Sequence, residues 1–160
     1  MKKLATLAAI LATAFNVNAV SLSDCATATS TLMSCAQVVQ DCQSNSSGSL
    51  CSTLSSLQSS CTSQSTTTGC AFLKWFKNEG APSCKNSDPS SITSLSTCDS
   101  AAAVFQSCAQ AGSACASGSS DSFCTDFASA QASCKTDQSG SACPFIGLLG
   151  KGAPSAGSGN

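Results

Sequence analysis

The chain has 160 residues, a formal net charge of −1, 9% charged side chains and 13 cysteines, and it contains no His and no Tyr. Without histidine, a Ser-His-Asp or Cys-His catalytic arrangement lacks its base, and a metal site ligated by imidazole cannot form. Its seven basic residues are all lysines and are spread along the chain, so nucleic acid, which needs a basic stripe with aromatic stacking partners, is not an expected partner.

At the N-terminus, Lys2 and Lys3 precede an apolar run from Leu4 to Phe15 and a small-residue exit at Val17-Asn18-Ala19. This is the plan of a signal peptide cleaved after Ala19. The run is about a dozen residues, against the roughly 20 needed to cross a bilayer. The sequence therefore predicts a secreted, extracellular protein with no membrane span once residues 1–19 are removed. The end of the chain, from Gly147 to Asn160, is too small and polar to serve as a lipid-anchor signal. All 13 cysteines follow the leader. In an oxidising compartment that density means disulfides.

An internal repeat organises the rest. Cys25, Cys35, Cys42, Cys51, Cys61 and Cys70 map onto Cys98, Cys108, Cys115, Cys124, Cys134 and Cys143 with one constant offset of 73 and no gap. Ser21-Leu22-Ser23 recurs at Ser94-Leu95-Ser96, and Ser34-Cys35-Ala36-Gln37 at Ser107-Cys108-Ala109-Gln110. The expected organisation is a leader (1–19), a first six-cysteine unit (20–84), a polar linker (85–93), a second unit (94–150) and a flexible tail (151–160).

Each unit reads as helical. Leu22, Cys25, Thr29, Leu32, Ala36, Val39 and Gln43 step by three and four, the spacing of one helical face. The polar stretch Ser44 to Ser49 ends that run, and Leu50, Leu54, Leu57 and Cys61 mark a second helix. The second unit repeats the pattern through Leu95, Cys98, Ala102, Phe105 and Ala109, then Phe123, Phe127, Ala130 and Cys134. Short apolar segments after each last cysteine, Ala71 to Phe76 and Phe145 to Leu149, read as third helices. The expected fold class is all-α, with two tandem disulfide-stapled helical hairpins that fold as separate modules.

Six cysteines allow fifteen pairings. In antiparallel helices, facing residues have numbers that sum to a constant. Cys42 with Cys51, Cys35 with Cys61 and Cys25 with Cys70 give sums of 93, 96 and 95, a nested ladder centred near Gly48, with Cys115–Cys124, Cys108–Cys134 and Cys98–Cys143 as its counterpart. A competing scheme joins Cys25 to Cys61, Cys35 to Cys51 and Cys42 to Cys70. The ladder is preferred because its centre falls in the polar turn. Staples are needed in either case, because few large apolar residues are present to offset the entropy of ordering the chain.

The C-x9-C spacings at Cys25/Cys35 and Cys51/Cys61 resemble the twin C-x9-C helical hairpins of mitochondrial intermembrane-space proteins, which carry four cysteines per unit and no secretory leader. The stretch from Cys61 to Cys84, with Cys70-Ala71-Phe72-Leu73-Lys74-Trp75-Phe76 followed by Pro82-Ser83-Cys84, is similar to the C-terminal half of elicitins and elicitin-like proteins, secreted helical proteins of oomycetes. That resemblance covers about 25 residues and implies sterol or lipid binding. The 73-residue repeat departs from the single six-cysteine domain of that family.

Little in the sequence points to chemistry. The cysteines stand six or more residues apart, so the close thiolate pairs of zinc knuckles and redox motifs do not occur. Asp121 and Asp126 bracket Cys124, but carboxylates on a Ser-rich face are usually only solvated. Gly147-Leu148-Leu149-Gly150-Lys151-Gly152 lacks the Ser or Thr that a phosphate loop needs after its lysine. No catalytic residue, metal site or cofactor is expected. Three candidate sites remain: Asn45, in the sequon Asn45-Ser46-Ser47; the odd Cys84, free or joined to another molecule, most simply in a homodimer; and Phe72, Leu73, Trp75 and Phe76, as core or as an apolar ligand or partner surface. The expected function is non-enzymatic extracellular interaction, effector-like or as a surface-layer component, with an unknown partner. The alternative is a small lipid or sterol carrier whose cavity is lined by Leu54, Leu57, Phe72 and Phe76.

Overall fold

The computed structural model describes residues 20–45, 47–61, 67–79 and 87–150. The leader and the tail expected at 1–19 and 151–160 lie outside these residues, as does Cys84. Six α-helices run in the order α1 (Leu22–Ser44), α2 (Ser49–Ser60), α3 (Cys70–Glu79), α4 (Leu95–Ala116), α5 (Ser122–Thr136) and α6 (Cys143–Gly150), with a 3-10 turn at Pro89–Ser91 before α4. No strand occurs among the described residues, so the fold is all-helical and follows the predicted three-helix rhythm of each unit.

Local signals set the helix ends. Ser21 and Asp24 form a reciprocal capping box at the start of α1. Asp121 caps α5, its Oδ1 accepting from the Cys124 N–H at 2.9 Å. Gly48, Gly69 and Gly118 take positive φ in the turns before α2, α3 and α5. The turn at Gly69 is also crowded, because a Cβ there would meet Leu57 Cδ1 at 2.7 Å and Leu95 Cδ1 at 3.3 Å. At Gly118 a Cβ would meet nothing within 4 Å. We expect Gly69→Ala to cost about 2–4 kcal/mol, from overpacking plus left-handed backbone, and Gly118→Ala about 1–2 kcal/mol, from the backbone alone. Thermal unfolding of the two variants checks this, and equal losses would remove the packing contribution.

The units do not form separate modules. Cys25 is bridged to Cys108 and Cys35 to Cys98, so both bonds join α1 of the first unit to α4 of the second. Both pairs sum to 133, which makes α1 and α4 antiparallel neighbours. Cys25 is the repeat equivalent of Cys98, and Cys35 of Cys108. The two bonds are therefore reciprocal, as across the two-fold axis of an isologous dimer. Ala28, Ala36, Ala101, Ala102 and Ala109 are buried on these two helices, and their small side chains permit Cα–Cα distances of 5.7 and 6.0 Å at the bridges. The exchange extends to the third helices: α3 packs on α4, and α6 on α1.

The remaining four bridges are Cys42–Cys51, Cys61–Cys70, Cys115–Cys124 and Cys134–Cys143, each with a sequence separation of nine. Each closes a polar turn between successive helices. Cys42–Cys51 and Cys115–Cys124 are the innermost rungs of the expected ladder. Its outer rungs, Cys35–Cys61, Cys25–Cys70, Cys108–Cys134 and Cys98–Cys143, do not form. Cys70 and Cys143, at the starts of α3 and α6, are bonded instead to Cys61 and Cys134 at the ends of α2 and α5, which leaves the long first helices to find each other.

The expected linker at 85–93 is in part a structural element. Asp88 caps the 3-10 turn, and its own N–H donates to Ser34 Oγ on α1 at 3.1 Å. Ile92 is buried in the core.

Candidate functional site

The seven aromatic rings of the described residues form one continuous ladder. Phe76 meets Phe72 at 6.1 Å between centroids, Phe72 stacks on Trp75 at 6.2 Å, and Trp75 meets the edge of Phe105 at 5.8 Å. Phe105 contacts Phe145 at 5.8 Å, Phe145 contacts Phe127 at 6.1 Å, and Phe127 stacks on Phe123 at 5.9 Å. These separations are those of packed aromatic pairs. The ladder crosses from α3 through α4 and α6 to α5, and so joins the two units.

This placement divides the apolar cluster proposed as a ligand or partner surface. Phe72 and Trp75 are 1% and 4% exposed and belong to the core, while Leu73 and Phe76 are half-buried at its margin. Sequence periodicity marks all four as one face of α3, but it does not show that α4 of the other unit covers two of them. The Trp75 Nε1 hydrogen is buried and has no hydrogen-bond partner among the described residues.

The carboxylates are mostly engaged in ending helices and turns. Asp99, on α4, accepts from the Gly69 N–H and, at 3.0 Å, from the Phe72 N–H, and so caps α3 from the other unit. Sequence reasoning missed this role, because nothing local links Asp99 to α3. Asp24 accepts from the Ser21 hydroxyl at 2.7 Å, and this bond, with the Ser21 backbone N–H, holds its carboxyl below the usual range. The Ser139 backbone N–H at 2.9 Å, and then its hydroxyl, do the same for Asp137. Asp41 accepts from Gln37 Nε2 at 2.8 Å. Asp121, considered beside Asp126 as an acid/base pair, is occupied as the α5 cap and by the Ser119 hydroxyl at 3.1 Å.

Cys115, Asp121 and Cys124 place three ligand-type atoms within 4.8 Å of one another. The two sulfurs are already bonded to each other and offer no thiolate to a metal.

Among the described residues, two open grooves have volumes of about 470 Å³. One, between α5 and α6, is lined by Gln131, Lys135, Gln138, Pro144 and Ile146 around the Cys134–Cys143 bridge. The other lies between the α1–α2 turn and the 3-10 turn, with Val38, Leu50 and Pro89 as apolar walls and Asp41, Asn45 and Ser90 at its edge. Asn45 is exposed there. No family model, no curated protein and no solved structure matches the chain.

Proposed function

We propose that this chain is an exported, non-enzymatic interaction protein whose two units are fused into one disulfide-locked body. Six disulfides suit an oxidising compartment, and no helix among the described residues is long and apolar enough to cross a membrane. Recognition then falls to the outer faces of α2 and α5, where Ser52, Thr53, Ser55, Ser56, Thr125, Ser129 and Ser133 are exposed. The duplication supplies two related faces, which favours avidity toward a repetitive extracellular partner, as in an effector or a surface layer.

The aromatic ladder carries this reading against the alternative. A lipid or sterol carrier of elicitin-like type needs apolar volume beside Leu54, Leu57, Phe72 and Phe76. Leu54, Leu57 and Phe72 are buried, and the Phe72 ring is engaged by both Trp75 and Phe76. Native mass spectrometry of protein from its source tests the choice. The expected spectrum has no lipid adduct, and a stoichiometric lipid that survives buffer exchange would transfer the function to the carrier.

A covalent homodimer is part of the proposal. Six bridges consume twelve of the 13 cysteines, which leaves Cys84 with no disulfide partner in its own chain. On non-reducing electrophoresis the wild type is expected to run as a dimer and Cys84→Ser as a monomer. A monomeric wild type, or a dimer that persists in the variant, would rule this out.

A further inference from the structure

We propose that Asn45 carries an N-linked glycan, an inference that rests on the export reading above. Asn45-Ser46-Ser47 is the sole Asn-x-Ser/Thr sequence in the chain. The structure adds three observations to that pattern. First, Asn45 is the residue at which α1 ends: its backbone N–H still donates to Asp41 O at 2.7 Å, but its φ of −146° and ψ of 102° turn the chain out of the helix, and the residue is exposed.

Second, the Ser47 hydroxyl donates to Asn45 Oδ1 at 3.0 Å. The side-chain amide is thus held by its oxygen. Its Nδ2, the atom that would carry the sugar, makes no hydrogen bond among the described residues, so the modification would break none of them. Third, there is room. Asn45 borders the open groove of about 470 Å³ between the α1–α2 turn and the 3-10 turn, where Val38, Leu50 and Pro89 offer apolar walls to the C–H face of a first N-acetylhexosamine. The Cys42–Cys51 bridge closes the loop that holds the site.

The second unit has Gly118 at the equivalent position, followed by Ser119 and Ser120, and so has no acceptor. A glycan would distinguish two otherwise similar faces and shield the first.

The donor is a lipid-linked oligosaccharide diphosphate of the eukaryotic secretory pathway. Asn45 Nδ2 bonds to the anomeric carbon and gives up one proton, while the carbon–oxygen bond to the diphosphate breaks and the lipid diphosphate leaves. The test is intact mass and peptide mapping of protein secreted by its source cells, before and after peptide-N-glycosidase. Wild type and Ser47→Thr should each lose a glycan mass and yield Asp at position 45. Ser47→Ala and Asn45→Gln should be secreted without a glycan. Secreted wild type without a glycan, or a glycan that persists in Asn45→Gln, overturns the proposal. Wild-type protein that stays inside the cell with its leader uncleaved overturns the export reading instead.

Discussion

Replacing Cys25, Cys35, Cys98 and Cys108 together by alanine should leave the chain without a cooperative fold at 25 °C, whereas loss of either cross-unit bridge alone should leave it folded. Cys25–Cys108 and Cys35–Cys98 close sequence separations of 83 and 63, against nine for each of the other four. In the chain-entropy account, a bridge across such a long loop contributes about 4–5 kcal/mol by itself and one across a short turn about 2.5–3 kcal/mol. The two long bridges are not independent. Once Cys25–Cys108 exists, Cys35–Cys98 closes only a ring of about 20 residues along α1 and α4, worth about 3 kcal/mol. The first loss should therefore cost about 3 kcal/mol, and both together about 7–8 kcal/mol.

That total is comparable with the whole stability of a typical domain, about 5–15 kcal/mol. It is lost where all four sulfurs are buried at 0–1% exposure, so packing would be lost as well. Circular dichroism melts of the two single-bridge variants and of the quadruple variant decide the matter. A quadruple variant that melts cooperatively within a few degrees of wild type would show that the ladder and the corner bridges suffice without them.

Much of this fold is legible in the sequence, because helix formation here is a local matter. The i, i+3, i+4 stripe from Leu22 to Gln43 and the polar turn after it give α1 and the start of α2 to within a residue or two. The constant cysteine offset exposes the repeat. What the sequence does not reveal is which copy each helix packs against. A stripe records that a face is buried, not against what, and Leu32 or Ala36 would look the same facing α2 of its own unit as facing α4 of the other.

A signal for the disulfide pattern was nonetheless present. Four cysteine pairs share one separation of nine, and each straddles a turn rich in Ser and Gly or Thr, which marks them as corner staples. That assignment leaves Cys25, Cys35, Cys98 and Cys108 over. Two cysteines ten residues apart on one helix lie about 15 Å apart along its axis and cannot bond to each other. They can be satisfied only between units. The same limit left the apolar face of α3 open between core and surface: Phe72 and Trp75 join the core only once α4 is placed beside them.

Why the copies pair with each other can be read from the divergence between them. Positions related by the offset often differ in size, with Leu32 against Phe105, Val39 against Gly112 and Trp75 against Leu148. A Cβ at Gly112 would come within 3.1 Å of Leu149 Cδ1, so the smaller residue in one copy makes room for a neighbour that the larger residue would crowd. Such asymmetry favours pairing of unlike units over pairing of like ones.

Phe105→Ala should be the most damaging single substitution in the core, at about 3–5 kcal/mol. Phe105 is 1% exposed and is the middle ring of the ladder, with Trp75 of the first unit on one side and Phe145 of the second on the other, both at 5.8 Å. Removing it opens a cavity between the units and ends both edge contacts, each worth about 0.5–1.5 kcal/mol beyond the area it buries. Phe123→Ala is the matched control: that ring lies at the end of the ladder, 8% exposed, with Phe127 as its one ring partner among the described residues, and should cost less. Phe105→Leu, which installs the residue found at the equivalent Leu32, should recover part of the loss because it refills most of the volume. Thermal unfolding gives the order, at roughly 3 °C per kcal/mol for a chain of this size. Trp75, the single tryptophan, reports the site directly, and its emission should shift to the red in Phe105→Ala but not in Phe123→Ala. Equal destabilisation by the two alanine variants, with no change in tryptophan emission, would mean that Phe105 does not couple the units.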